Sequence, residues 1–533
     1  MRYDTEHGRP TGAALAETLG IPGTGVGHHR TAITVTKDEL PAHARKLLAG
    51  GHRVALMAGH HDADDRLRAV YLFTAGAPDR RVELHLRLDR ADPSLPSLAK
   101  DSFPAGRFER EMRDLFGIVP LQHPLPRRLV RHFHWPKGWY PMLADAGAPP
   151  EFGDVDGPYP FRTVEGPGVY EIPVGPVHAG MIGPGHFRFS VIGETILNLK
   201  ARLWFVHRGV EKLFHGRHPQ AAVQLAERVS GDTSVGHTIA FCQAVEDALR
   251  LAVPQDAARL RGVLLELERL YNHITDIGAL CNDVGHGILN THAQRIREDL
   301  LRLNDDVAGS RLLRETIFPG GATMTALPDL ERLAAIGTDT AEIVALALNN
   351  STVADRFTGT ATLTTAQAAD LGTLGYVARA SGLLIDARHD HPTLPEQWPR
   401  THHTRTEGDV LSRFLLRAEE ITASIQLISQ LVQALEGRST AATQLPAARS
   451  GGKTETTGES PGIRSGVGIV EGWRGTIVHR VELAADDTLT RVKIVDPSFF
   501  NWPALPVALT DTIVPDFPLT NKSFNLSYAG NDL

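Results

Sequence analysis

Cysteine is nearly absent from this chain: Cys242 and Cys281 are the only two in 533 residues. That excludes a disulfide framework and a cysteine-ligated cluster held by this chain alone, and leaves buried thiols packing as small apolar groups as the default. An excess of basic charge is also lacking. Lys and Arg total 55 against 62 Asp and Glu, a net charge of −7, so no basic surface for nucleic acid is implied. No apolar run approaches the roughly 18 residues that a membrane-spanning helix needs. The opening Met1-Arg2-Tyr3-Asp4 has no signal-type apolar segment. These absences predict a soluble cytoplasmic chain and leave open its attachment to the surface of a membrane complex. With 42% hydrophobic and 22% charged residues, disorder throughout is excluded and a sizeable core is expected.

The chain changes character along its length. Val54–Ala58 and Ala69–Phe73 read as strands, and Val82–Leu88 alternates with period two, as a strand buried on one face does. A helix is expected between Asp38 and Leu48. Together they predict a small α+β domain over 1–138. The stretch that follows carries Pro141, Pro149, Pro150, Pro158, Pro160 and Pro167 among glycines, which predicts an irregular connection over 139–168. Beyond it, over 169–533, a mainly helical domain with small β elements is expected. Leu260, Val263, Leu264, Leu267, Leu270, Ile274 and Ile277 fall on one helix face. Phe414, Ala418, Ile421, Ile425, Ile428, Val432 and Leu435 keep the same step and precede Gly437; apolar residues on the other faces predict a buried central helix. Arg438–Gly466 is polar and rich in Gly, Ser and Thr, which predicts a mobile loop. Strands return at Gly475–His479 and Leu489–Val495.

Three stretches are more specific. Phe108-Glu109-Arg110-Glu111-Met112-Arg113-Asp114-Leu115-Phe116-Gly117-Ile118, with His123-Pro124 and Arg127-Arg128, resembles the signature of the 30 kDa peripheral subunit of respiratory complex I. Gly175-Pro176-Val177-His178-Ala179-Gly180, Pro184-Gly185-His186-Phe187 and His207-Arg208-Gly209-Val210-Glu211-Lys212 resemble the start of two related subunits. These are the large subunit of energy-converting (group 4) nickel–iron hydrogenases and the 49 kDa subunit of complex I. Glu471-Gly472-Trp473-Arg474-Gly475 and Asp496-Pro497-Ser498-Phe499-Phe500 resemble that family's closing segment. The fused order is similar to that of formate hydrogenlyase large subunits.

The resemblance implies a site, and this chain departs from it. The family holds nickel and iron with four cysteines in two Cys-x-x-Cys pairs; the corresponding positions here are Ser230, Thr233, Ser498 and Asn501. Hydroxyls and an amide are hard donors, essentially un-ionised at neutral pH, and do not replace thiolates. The acidic residue that precedes the family's Pro-Gly-His-Phe segment is replaced by Gly183. In the complex I reading, Ile182 falls at the second histidine of the quinone motif, which His186 could fill with a shift in register, and the tyrosine position falls near Gly231. Asp283 matches the acidic position behind the histidine. His178, His186, Asp283 and Arg474 are therefore the expected site residues, and His207, Arg208 and Glu211 are expected to face a partner's cluster.

The implied assembly is a membrane-associated complex of hydrogenase-4 or complex I type. An iron–sulfur small subunit would be the neighbour, with antiporter-like membrane subunits below, and the chain would sit at the cytoplasmic face. The expectation is an oxidoreductase subunit that holds no cofactor or metal of its own and passes electrons to an acceptor, with quinone a candidate. The rival expectation is a non-catalytic coupling module. Because all four replacements at the ligand positions are polar, a hydrated pocket with Ser230 and Ser498 close in space is expected. Blander readings go to the remaining features. Glu266, Arg269, His273 and Asp276 are expected to form an ion network within one helix. The pairs His28-His29, His60-His61 and His402-His403 are expected as surface histidines, since neighbours on a strand point to opposite faces. Arg388-His389-Asp390-His391 reads as structural or as an interface.

Overall fold

The computed structural model describes residues 23–153, 155–178, 182–394, 404–444 and 464–533. The N-terminal part is a five-stranded sheet built from β1 (Thr24–Gly27), β2 (Arg30–Val35), β3 (Arg53–His61), β4 (Leu67–Ala75) and β5 (Arg80–Leu88). Their order is β1-β2-β5-β4-β3; β2 and β5 run parallel and the other neighbours antiparallel. The parallel pair requires a crossover, and it contains helix α1 (Leu40–Ala49). Helix α2 (Phe103–Phe116) packs against β3. It carries the 30 kDa-like signature, and the left-handed Gly117 ends it at φ +75°.

The expectation of one solvated face on β5 is corrected by the structure. Glu83 and His85 are buried like the neighbouring Leu84 and Leu86, and Arg87 is the one exposed position in Val82–Leu88. The polar face is covered by a second sheet, β9 (Arg464–Gly472), β10 (Gly475–Leu483) and β11 (Leu489–Val495), antiparallel in that order. The two sheets meet through paired charge. Arg480 donates to both Glu83 oxygens at 3.0 and 3.2 Å, and Arg30, which meets Glu83 at 3.1 Å within its own sheet, donates across to the Ser465 carbonyl of β9 at 2.7 Å. Arg68 bridges Asp62 and Glu482. A buried charge that loses its partner costs several kcal/mol, so this seam is set by chemistry rather than by shape alone.

After the irregular segment come three antiparallel strands, β6 (Val169–Val174), β7 (His186–Ile192) and β8 (Thr195–Arg202). Among the described residues the helical part has five long members: α3 (Ser234–Leu249), α4 (Gln255–Asp283), α5 (Gly287–Ala308), α6 (Leu330–Leu348) and α7 (Val410–Leu435). Helix α4 packs against both α5 and α7, which explains why it is apolar on more than one face. Its charged residues do not form the intra-helix network expected of them. Arg269 pairs with Glu266 at 3.0 Å, but His273 and Asp276 reach across to Glu420 and Arg417 of α7 at 2.8 and 2.9 Å.

Two glycines decide how α3 sits on β9. A Cβ at Gly466 would stand 1.9 Å from the Ala244 carbonyl oxygen, and one at Gly468 2.0 Å from that of Ala240. Backbone touches backbone there. The apolar cores do not follow chain order. One joins Leu56, Tyr71, Leu84 and Phe108 of the N-terminal part to Phe187, Trp473, Trp502 and Phe524. The other gathers Leu264, Ile274, Phe414 and Leu427 with Val481 and Val492. Of the expected loop, residues 440–442 form a short strand against Gly321–Thr323, β9 already begins at Arg464, and 445–463 lie outside the described residues, as do His402 and His403.

Candidate functional site

Two connections bring the site together. The segment Arg228–Thr233 leads into α3, and Trp473-Arg474 form the two-residue turn between β9 and β10, closed by the Gly472–Gly475 pair. At their meeting point Arg474 donates to both oxygens of Asp232, at 2.7 and 2.6 Å. Such a fork-on-fork pair fixes orientation as well as charge. The guanidinium lies over the Trp473 ring at 3.9 Å, and its Nε donates to the Asn525 carbonyl. Arg474 is buried, whereas the Asp232 side chain is 40% exposed, so the pair sits at the floor of the surface. Burial opposes the charge on Asp232, but Arg474 and the hydrogen bonds outweigh it and hold the carboxyl at about 2.

The four positions aligned with cysteines surround this pair unequally. Ser230 and Thr233 donate to Asp232 at 2.9 and 3.0 Å, and Thr233 also accepts from the Trp473 indole N–H at 3.1 Å. The Ser230 hydroxyl meets that of Ser527 at 2.8 Å, and the Ser527 amide donates to the Ser498 hydroxyl at 2.9 Å. Ser230 and Ser498 are thus one serine apart. Asn501 turns elsewhere: it accepts from the Leu374 amide at 2.8 Å and donates to the Leu374 carbonyl at 3.1 Å. The expected polar character is present: the hydroxyls bond to Asp232, Ser527 and the Trp473 indole, and Asn501 bonds to the Leu374 backbone.

Behind the hydroxyls runs a buried relay. Asp496 caps Ser498 and meets His237 Nε2 at 3.0 Å, and His237 Nδ1 meets His479 Nε2 at 3.0 Å. Burial, then the neighbouring His237, keeps the His479 pKa well below the usual histidine range. On the other side Asn525 donates to Asp276 at 2.6 Å, and Asp276 is paired with Arg417. Helix α7 carries Arg417 on to Glu420, which Arg379 links to Glu471 at 2.9 Å. Glu471, Arg388 and Glu266 line a cavity of about 940 Å³. Glu268 accepts from the first amides of α3, Val235 and Gly236, at 2.7 and 3.0 Å; burial nevertheless pushes its carboxyl up to about 8.

The other expected residues lie as follows. His178 and His186 flank the β6–β7 connection, and His186 Nδ1 meets the Gly175 carbonyl at 3.0 Å. Gly183 lies in the same connection, where an added Cβ would stand 2.6 Å from the Tyr528 ring; Tyr528 occupies the space an acidic side chain would need. Asp283 ends α4, seven residues or roughly 10 Å beyond Asp276. Burial raises its pKa, and Lys522 partly offsets that. His207 Nδ1 meets the Asp532 carbonyl at 2.7 Å, and Arg208 donates to the Arg228 and Val229 carbonyls. Glu211 is buried between Arg491 and Lys493 at 2.7 and 3.0 Å, and Lys493 continues to Glu111 of α2. It therefore knits the two parts of the chain together. Asp232, Asp276, Asp496 and Ser527 carry as much of the cluster as the expected residues do. Asp232 had a signal, a carboxylate within the aligned ligand segment; Ser527 had none.

Known proteins share this architecture. Residues 33–150 match the family described as "Respiratory-chain NADH dehydrogenase, 30 Kd subunit", residues 283–532 "Respiratory-chain NADH dehydrogenase, 49 Kd subunit", and residues 208–281 "Nickel-dependent hydrogenase". Hydrogenase-4 component G of Escherichia coli (strain K12) is 30% identical over 87% of this chain and 80% of that protein. Formate hydrogenlyase subunit 5 of the same organism is 29% identical over 85% and 79%. The carbon monoxide-induced hydrogenase of Rhodospirillum rubrum is 29% identical over 67% and 97%. A chain in the structure of the membrane-bound sulfane sulfur reductase, an archaeal respiratory membrane complex, shares the fold with TM-score 0.60 and 22% identity, over 68% of this chain and 98% of that one. The chain belongs to the family of group 4 hydrogenase-type large subunits in which complex I 30 kDa-like and 49 kDa-like parts are fused. Among the described residues no helix is long and apolar enough to cross a membrane.

Proposed function

We propose that the chain is the peripheral large subunit of a membrane-bound redox complex. In this reading it passes electrons from a cluster on an iron–sulfur small subunit to an acceptor, with quinone a candidate, and performs no nickel–iron hydrogen chemistry. The supporting observation is the Asp232–Arg474 pair with its hydroxyls, standing where the family's thiolates would be. Nickel and iron in that site need soft sulfur donors. Ser230, Thr233 and Ser498 offer neutral hydroxyls, the first two bonded to Asp232 and Ser230 and Ser498 both bonded to Ser527, and Asn501 is committed to Leu374. Cys242 and Cys281 are buried, and burial pushes the Cys281 thiol up to about 12. These residues do not fit a nickel–iron group. In this reading His178 and His186 would hand a proton to the reduced acceptor, with Asp283 at the end of α4. Arg474, locked in its charged form, would hold negative charge developing nearby.

The face carrying the exposed Arg208 beside Phe205 (37% exposed) and Leu213 (47%) is assigned to the small subunit, with His207 behind it. Antiporter-like membrane subunits and a position at the cytoplasmic membrane face belong to the same reading. A second reading, a non-catalytic coupling module, is favoured by one observation: each nitrogen of Arg474 is already bonded within the protein, and a chain of buried ion pairs leads away from it. Single-turnover kinetics on the purified complex separates the two. After chemical reduction of the partner's cluster, a quinone analogue should reoxidise it at least ten times faster in the wild type than in an Arg474→Met complex. A cluster that stays reduced with every acceptor supports the coupling module and overturns the redox reading.

A further inference from the structure

His28 and His29 stand at the turn between β1 and β2. Neighbours on a strand diverge, but His29 has a left-handed backbone with φ +51°, and that turn brings both rings to one side. Their centroids are 4.1 Å apart at 73°. Asp79, from the turn between β4 and β5, reaches the same place, and one ligating atom from each of the three residues lies within 4.8 Å of the others. We propose that His28, His29 and Asp79 form a site for a divalent transition-metal ion of the zinc kind, pinning the β1–β2 turn to the β4–β5 turn where the N-terminal sheet meets the helical part.

The donor set fits. Two imidazoles and one carboxylate suit zinc and its neighbours and leave a coordination position for water. Both rings are exposed and no side-chain hydrogen bond holds either of them among the described contacts, whereas the Asp79 side chain is 7% exposed. Asp79 is also held as ligating carboxylates are held, by outer partners. Arg81 donates to it at 3.1 and 2.8 Å, and His391 Nδ1 meets Oδ1 at 2.7 Å. That uses three of its roughly four lone pairs and leaves one on Oδ2. The seam is already drawn together here, since the His28 amide donates to Asp247 of α3 at 2.8 Å and His391 follows the short helix Ala387–Asp390. Donors around a tetrahedral ion lie about 3.3 Å apart, so the ligating atoms, now within 4.8 Å of one another, close by up to about 1.5 Å on binding, which an exposed hairpin turn allows. The Arg81 charge lowers affinity, so the expected range is micromolar.

The test uses the full chain without a histidine tag. Equilibrium dialysis against micromolar Zn²⁺, followed by elemental analysis, should give about one zinc per chain. His28→Gln and His29→Asn should each weaken binding at least ten-fold; asparagine keeps the left-handed turn, so the fold is retained. Cobalt(II) should give the intense visible absorption of a tetrahedral site in the wild type and lose it in both variants. Zinc that does not bind, or binds equally to the wild type and both variants, overturns the proposal, as does a cobalt spectrum that the variants leave unchanged.

Discussion

Arg474 and Asp232 hold each other through two short hydrogen bonds, and each is placed by a separate part of the backbone. Removing one leaves the other uncompensated. Asp232→Asn is expected to lower stability by about 1–3 kcal/mol, at the lower end because Asp232 is partly exposed. The double variant Asp232→Asn with Arg474→Met should recover part of that loss, and urea unfolding of the four proteins of the cycle measures it. His60 supplies a pH dependence. Burial lowers its pKa to about 4, although Glu482 stands 3.3 Å away. An unfolded histidine takes up a proton below about 6.5, so the unfolded state binds more protons than the folded one between about 6.5 and 4. Stability therefore falls as pH falls through that window, by on the order of 3 kcal/mol from this residue. His60→Gln should show a visibly flatter decline between pH 6.5 and 4 than the wild type; identical slopes would place the effect elsewhere. At this scale the motif residues were legible, Arg474 and Ser230 above all. Their partners were not, because Asp276, Asn525 and Ser527 meet the site only once helices far apart in the chain are packed.

Among the elements, the periodic ones were readable. Leu489–Val495 is a strand over the residues expected, and the helix expected from Leu260 runs from Gln255 to Asp283, because its period of apolar residues is unbroken. The polar face of β5 was not readable. Alternation says which residues share a face, but whether that face meets water depends on Arg480, 397 positions away. The approach of α3 to β9 was equally invisible, since it shows in the sequence only as Gly466 and Gly468. Gly468→Val must push the strand off the Ala240 carbonyl. It is expected to cost about 3 kcal/mol or more, at the upper end of overpacking, with the thermal midpoint falling accordingly. A midpoint within a degree or two of the wild type would contradict the contact.

The whole molecule is organised by a shared core and a charged seam. The N-terminal sheet buries Glu83 and Arg68 against β10 and Arg30 against Ser465 of β9, and its apolar residues join a core with Trp473 and Trp502. Residues 1–138 produced alone are expected to lack dispersed amide signals in NMR and to bind a hydrophobic dye, since the severed charges and apolar face would have no cover. A well-dispersed spectrum would show instead that this part folds on its own. The central claim, a family scaffold whose site is closed by hydroxyls and an ion pair and holds no nickel–iron group, meets its most direct test in metal analysis of the intact purified complex. The account predicts iron from the partner's cluster, nickel well below one-tenth per large subunit, and no exchange of deuterium gas with water. About one nickel per large subunit, with hydrogen exchange, would contradict it.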